Sequence, residues 1–283
     1  MSLDSLLRLV VPAVPAVAVA LLVDVGTLRR GLAPPGFFSP GRRTLMASLV
    51  ATVLYAGILS PLSWLDRLPE MVEAVPTVPE LFLMHALLLL SVLFWFVLGF
   101  GPREHEGGGP LTAVFAQCGL RTENPGRDLR LGLAWGTVLW VLVVLAMVAV
   151  ATALRGAGAS SLSPEAVPES VLFMAGLPVA LRVGLSVSAG FVEEVFFRGF
   201  LQPRTGIFVS SLLFILAHAS YGQPLMLVGV TLLSLGFAQM VRVRGNVWPA
   251  VVAHTLFDAL QLLWLIPLQV ELTRQAAAPA LGL

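Results

Sequence analysis

The sequence predicts an all-α, polytopic membrane helix bundle, and three observations predict it. Hydrophobic residues make up 57% of the chain and charged ones only 12%. Mean hydropathy is +0.90, and soluble domains carry about 25% charge. Apolar runs of about 17–25 residues, the length that crosses a ~30 Å hydrocarbon core as helix, recur about eight times along the chain. Finally, arginines alternate between the loops in a way that orients every one of those runs.

The spans follow in order. The first is Leu9 to Val25. Pro12, Pro15 and the cleavage-like Ala18-Val19-Ala20 give it some likeness to a signal peptide, but its length and the spans that follow favour an uncleaved helix. Span two is Thr44 to Leu65, followed by an acidic loop with Asp66, Arg67, Glu70 and Glu73. Span three is Leu81 to Phe100, and the polar loop Gly101 to Arg130 precedes span four, Leu131 to Leu154. Span four opens on Gly132-x-x-x-Gly136, which permits close helix contact. From Arg155 to Leu181, Pro164, Pro168 and Pro178 interrupt any long helix, so an interfacial or broken helix is expected. Spans five to eight are Val183 to Leu201, Thr205 to Tyr221, Pro224 to Val241 and Val247 to Leu265, with a mobile tail beyond Pro267. One membrane domain, 1–283, is expected, with 183–265 as its chemical core.

Alternating the loops places Arg29, Arg30, Arg42, Arg43, Arg103, Arg121, Arg127, Arg130, Arg198, Arg204, Arg242 and Arg244 on one face. Only Arg8, Arg67, Arg155, Arg182 and Arg274 fall on the other. The first face is then cytoplasmic and both termini lie outside. Trp64, Trp135, Trp248 and Trp264 sit near span ends, as an aromatic belt requires. All 17 basic residues are arginine, which reads as the codon bias of a GC-rich, bacterial genome. A net charge of +1, with no basic stripe, gives no case for nucleic acid. The single cysteine, Cys118, excludes an intramolecular disulfide and a multi-cysteine metal site, and reads as a small buried hydrophobe.

Ionisable groups at membrane depth are costly and mark function by default. Span five carries Glu193, Glu194 and Arg198, span six His218, and span eight His254 and Asp258. At 1.5 Å per residue Glu193 lies ~15 Å in from Pro203 and His254 ~15 Å from Arg244, while His218 and Asp258 lie ~21 Å in from Arg204 and Arg244. All four share the middle of the membrane. Glu194 and Arg198, four apart with the acid first, pair on one helix face. Glu193 diverges from Arg198 by about 140°, which leaves it without a sequence-local partner and suited to act as a general base. His254 and Asp258 share a face, so the carboxylate is expected to orient the imidazole. His85 and His105 read as interfacial and solvated.

Glu193-Glu194-x-x-x-Arg198, Phe214-x-x-x-His218 and His254-x-x-x-Asp258, in that order on separate helices, resemble the three motifs of the CPBP intramembrane proteases. That is the family of the Rce1-like CAAX prenyl endopeptidases and of bacteriocin-processing and immunity proteins. The resemblance covers about Val183 to Leu265, and Asp258 stands where the family uses Asn or Asp. It implies hydrolysis of a peptide bond in a membrane-associated protein or peptide. The residues matching Glu193 and His218 would activate water, and those matching His254 and Asp258 would stabilise the oxyanion. Clients implied by the family are prenylated C-termini, leader peptides or, by analogy with the myxosortase branch, C-terminal sorting helices.

Zinc is the competing chemistry, with Glu193, His218 and His254 as the candidate ligands, since two His and a carboxylate form a known catalytic set. The chain lacks an H-E-x-x-H motif, and metal-free general-base catalysis, needing no cofactor, is set ahead of it. Two other readings stand beside the protease: a catalytically silent scaffold or immunity protein of the same fold, and a proton-coupled transporter. The absence of internal repeats weighs against the transporter. The expected location is a bacterial cytoplasmic membrane, with the site nearer its cytoplasmic half.

Overall fold

The structure, a computed structural model of the chain, describes residues 3–63, 77–100, 109–159, 169–219 and 223–277. Helices account for its regular structure, with no strand among the described residues. In order they are α1 (Leu3–Arg29), α2 (Pro40–Leu54), α3 (Val78–Phe100), α4 (Pro110–Gln117), α5 (Pro125–Gly156) and α6 (Glu169–Gly176). Then come α7 (Val179–Glu193), α8 (Gln202–Ala217), α9 (Pro224–Arg244), α10 (Trp248–Leu260) and α11 (Ile266–Ala277). Trp64, the acidic loop with Arg67, Arg103, His105, Pro164, Pro168 and Tyr221 lie outside the described residues, as does the side chain of Arg274.

Seven helical segments among the described residues are long and apolar enough to cross a membrane. The sequence predicts about eight, and the difference lies in spans five and six, which form the single 39-residue segment Val179–Ala217. That segment is not straight. Gly206 has φ 87° and ψ 170°, a conformation that suits glycine, and the chain doubles back there. The rings of Phe197 and Phe214 meet at 5.2 Å, although 17 residues of straight helix would separate them by ~25 Å. Spans five and six are therefore two limbs of one helical hairpin. The tail is also corrected: helix continues through Pro267 to Ala277. Pro267 follows closely on the π-helical turn Gln261–Leu265, where the α-helical hydrogen-bond ladder is already shifted.

Among the described residues three stretches are π-helical: Tyr55–Leu59, Glu194–Leu201 and Gln261–Leu265. The second is eight residues long and every one of them is buried. Such segments break an α-helix mostly as short bulges and are frequent at functional sites. This one holds Glu194 and Arg198.

One apolar core runs through α1, α2, α3, α7, α8, α9 and α10 and includes Val92, Phe96, Val195, Phe200 and Phe214. A second joins α5, α9 and α10 through Leu139, Phe237 and Phe257. Outward faces stay apolar: Leu142, Leu145 and Val148 on α5 and Val11, Val14 and Val17 on α1 are exposed, as lipid-facing residues would be. Glycines set the closest approaches. A Cβ at Gly136 would come within 2.9 Å of Ala253 Cα, and one at Gly132 within 2.5 Å of Val252. The Gly132/Gly136 pair thus lets α5 lie directly on α10, as its spacing predicts. Gly190 does the same for α7 against α10, with Thr255 Oγ1 2.3 Å from where its Cβ would stand.

A polar knot ties the ends of α5 and α9. Arg244 donates to Asp128 Oδ1 from Nε at 3.0 Å and Nη2 at 2.7 Å, and Asn246 Nδ2 donates to Oδ2 at 3.0 Å. At the same end, the buried Arg204 donates to Gln117 Oε1 at 2.8 Å, with its guanidinium 4.7 Å from the Trp95 ring and 4.5 Å from the Phe200 ring.

Replacing Gly190 by Ala is expected to destabilise the fold by about 1–3 kcal/mol through overpacking against α10. Gly184→Ala on the same helix, where a Cβ meets nothing within 4 Å, is expected to hold or raise stability because alanine is the better helix former. Thermal unfolding of both variants in detergent checks the contrast.

Candidate active site

Glu193 and Glu194 stand at the junction where α7 passes into its π-helical continuation. Their side chains part company there. Glu194 and Arg198 are completely buried, with Arg198 Nε 3.5 Å from Glu194 Oε2. Glu194 Oε1 accepts from His254 Nδ1 at 3.0 Å across from α10. The guanidinium continues to α9, where Nη2 lies 3.3 Å from both the carbonyl and the hydroxyl of Ser234. A charge-assisted chain, Ser234–Arg198–Glu194–His254, therefore laces three helices together inside the apolar bundle.

His254 is flanked by two carboxylates, and its hydrogen-bonded partner at Nδ1 is Glu194, in addition to the Asp258 that the sequence pairs with it. Asp258 Oδ2 lies 3.6 Å from the other nitrogen, Nε2. The i, i+4 spacing does bring Asp258 and His254 together, but Gly190 lets α7 come close enough for Glu194 to take Nδ1. The imidazole stacks on Phe237, with ring centroids 5.1 Å apart.

Glu193 faces a different set. His218 Nε2 is 3.9 Å from Oε2. His218 Nδ1 lies 2.8 Å from the carbonyl of Phe214; a carbonyl only accepts, so Nδ1 carries a proton, and in the neutral imidazole Nε2 presents a lone pair toward Glu193. Phe214 explains its own place in the motif: its ring lies 4.2 Å from the Arg198 guanidinium, 4.6 Å from the His218 ring and 5.9 Å from the His254 ring. Glu193 Oε2 is buried without a hydrogen-bond partner.

All six residues singled out from the sequence, Glu193, Glu194, Arg198, His218, His254 and Asp258, thus come together. One residue of the cluster was missed. His85, read as interfacial, is buried with Nε2 3.5 Å from Glu193 Oε1. Depth could have found it: counted from Phe100, His85 lies ~22 Å in, level with His218. Position near a span end hid it, because α3 begins only seven residues earlier, at Val78.

Cys118 takes no part. Burial pushes its thiol up to about 11, which leaves it un-ionised and unreactive. A cavity of about 540 Å³ is lined by Arg30, Cys118, Arg198, Gln202 and Arg242, and its walls include none of Glu193, His218, His254 and Asp258; the carboxylate–imidazole chemistry lies outside it. Among the described residues, no group of three or more His, Cys, Asp or Glu side chains is disposed to hold a metal ion.

Residues 175–260 match the family model described as type II CAAX prenyl endopeptidase, Rce1-like. This segment is therefore similar to an Rce1-like domain, which is consistent with a CPBP family intramembrane protease. The match takes in α7 to α10, with all six motif residues, and supports an intramembrane endopeptidase in general terms. The chain is also 28% identical over 134 residues to the uncharacterized protein YpbD of Bacillus subtilis (strain 168), covering 47% of this chain and 68% of that protein. No solved structure matches it. His85 lies outside the Rce1-like domain.

Removing Arg198 leaves Glu194 buried without its cation, so Arg198→Met is expected to cost about 3–5 kcal/mol. Combined with Glu194→Gln, the loss is expected to fall well short of the sum of the single variants, because both act on one ion pair. A double-variant cycle read by thermal unfolding in detergent measures that coupling.

Proposed function

We propose that the chain is an intramembrane endopeptidase that hydrolyses a peptide bond of a membrane-associated protein or peptide by metal-free general-base catalysis. The observation that carries this reading is the facing pair Glu193 Oε2 and His218 Nε2, two acceptors 3.9 Å apart inside an apolar bundle. That separation is too long for a direct hydrogen bond and suits a water that donates to both. The water oxygen attacks the peptide carbonyl carbon while Glu193 takes its proton. His254, protonated between Glu194 and Asp258, offers Nε2–H to the oxyanion, a contribution of ~2.7–4 kcal/mol per donor. Collapse of the tetrahedral intermediate breaks the C–N bond, and the departing amine receives the proton from Glu193. Asp258, at the same nitrogen, holds that imidazolium in place. Arg198 and Glu194 act as a brace beneath it.

The arginine-rich face, with Arg29, Arg30, Arg42, Arg43, Arg121, Arg127, Arg130, Arg204, Arg242 and Arg244, is assigned to the cytoplasm by the positive-inside rule. The arginine-only composition, read as that of a GC-rich bacterial genome, makes the host membrane a bacterial cytoplasmic membrane in this reading. Prenylated C-termini, leader peptides and C-terminal sorting helices are the client classes the fold family suggests.

Glu193→Ala and His218→Ala are each expected to lower cleavage by at least about 100-fold while leaving the protein folded in detergent. Comparison of membrane proteomes from cells with the active protein, with the Glu193→Ala protein and with neither identifies the client by its trimmed terminus. Retained trimming in the variant overturns the mechanism, and identical proteomes move the weight to a silent scaffold. Chelator treatment of the purified enzyme is expected to leave its activity unchanged; a loss restored by zinc would sink the metal-free route.

A further inference from the structure

We propose that His85, on α3 and outside the Rce1-like domain, is a positioning residue that assigns the two oxygens of Glu193 their separate tasks; this rests on the proteolytic reading above. A carboxylate has two equivalent oxygens and a torsion that interchanges them. General-base catalysis needs one of them aimed at the water and held there. His218 stands at Oε2, and His85 Nε2 stands at Oε1, 3.5 Å away.

The hydrogen-bond partners of the two imidazoles give them opposite tautomers. His218 must donate from Nδ1 to the Phe214 carbonyl, which leaves Nε2 an acceptor in the neutral ring. His85 Nδ1 meets the hydroxyl of Ser188 at 2.9 Å, a group that can turn to donate or accept. Because the Glu193 carboxylate can only accept, the consistent arrangement has Ser188 donating to Nδ1 and His85 donating from Nε2 to Oε1. One histidine therefore shares the water with Glu193, and the other holds the carboxylate still. Long contacts of this kind tighten in the substrate complex.

The fold supports the assignment. Ser188 and Glu193 lie on the same helix, five residues apart, so His85 clamps α7 at two points from α3. Phe82, one turn earlier on α3, meets the imidazole edge-on with ring centroids 6.4 Å apart, which restricts its rotation. A histidine merely satisfied in the core would need only the Ser188 bond.

The test uses the full-length chain in liposomes and a fluorogenic peptide spanning the terminus trimmed in the proteome comparison. His85→Leu, which keeps bulk but cannot donate, is expected to lower kcat by about 10- to 100-fold with KM nearly unchanged. His85→Gln, whose amide can donate to Oε1, is expected to recover most of that loss; a packing role would be rescued by Leu instead. Ser188→Ala is expected to give a smaller loss in kcat. Full activity in His85→Leu beside an inactive Glu193→Ala overturns this inference and leaves the proteolytic reading standing, whereas an active Glu193→Ala overturns the proteolytic reading. A second measurement needs no substrate. Nitrogen-15 spectra of labelled imidazoles are expected to show His85 protonated at Nε2 and that signal displaced in Glu193→Ala; an Nδ1-protonated ring, or a signal indifferent to Glu193, overturns the assignment.

Discussion

Taking an ion out of water costs several kcal/mol even after a protein relaxes around it, and this bundle carries a carboxylate and a guanidinium with no exposure at all. The pairing of Glu194 with Arg198 at 3.5 Å is the constraint that the rest of the site obeys. Coulomb attraction alone does not cover such a cost, so further partners are required. They come from His254 on α10 and Ser234 on α9. Each partner belongs to a different helix, which makes the ion pair a registration device: sliding any of the three helices by one residue would strand a buried charge. The lipid-facing sides of those helices, being largely apolar, do not define a register.

The pairing is possible only because backbones come close. Gly190 brings α7 against Thr255 on α10, and Gly132 and Gly136 bring α5 against the other side of α10. Lipid tails give apolar side chains no preference for one another, so small residues that allow backbone approach do much of the association. The π-helical stretch from Glu194 to Leu201 then rotates the chain out of α-helical register while staying wholly buried. Below it the chain turns back at Gly206, and the returning limb delivers Phe214 and His218 to the same place. Two carboxylates adjacent in sequence thus end in separate environments, one bound into a brace and one between two imidazoles.

The N-terminal half has a part in this arrangement. α3 packs against α7 and supplies His85, while its Trp95 and Phe96 join Phe200 in the core and face the guanidinium of Arg204. The match to the Rce1-like family model spans only 175–260, and without α3 Glu193 Oε1 would lose the contact with His85. Helices before the motif region are better described as the wall that completes the site than as a separate anchor.

The sequence by itself determined the bundle and most of the residues that cluster at the site. Length and hydropathy place the spans to within a few residues, because a helix must satisfy its own backbone in lipid whatever surrounds it. Periodicity pairs Glu194 with Arg198, since four residues make one turn, and leaves Glu193 apart. Depth counting groups His218, His254 and Asp258 with it. What tertiary structure decided is lateral: which helix stands beside which, and so which atom meets which. It gave Nδ1 of His254 to Glu194 rather than Asp258, joined spans five and six in one hairpin, and brought His85 from 108 residues upstream to Glu193. Those outcomes depend on contacts between distant segments and on backbone departures from α-helix, and neither leaves a mark in a one-dimensional pattern. The two glutamates that stand adjacent in the sequence are separated in environment by their neighbours from other helices.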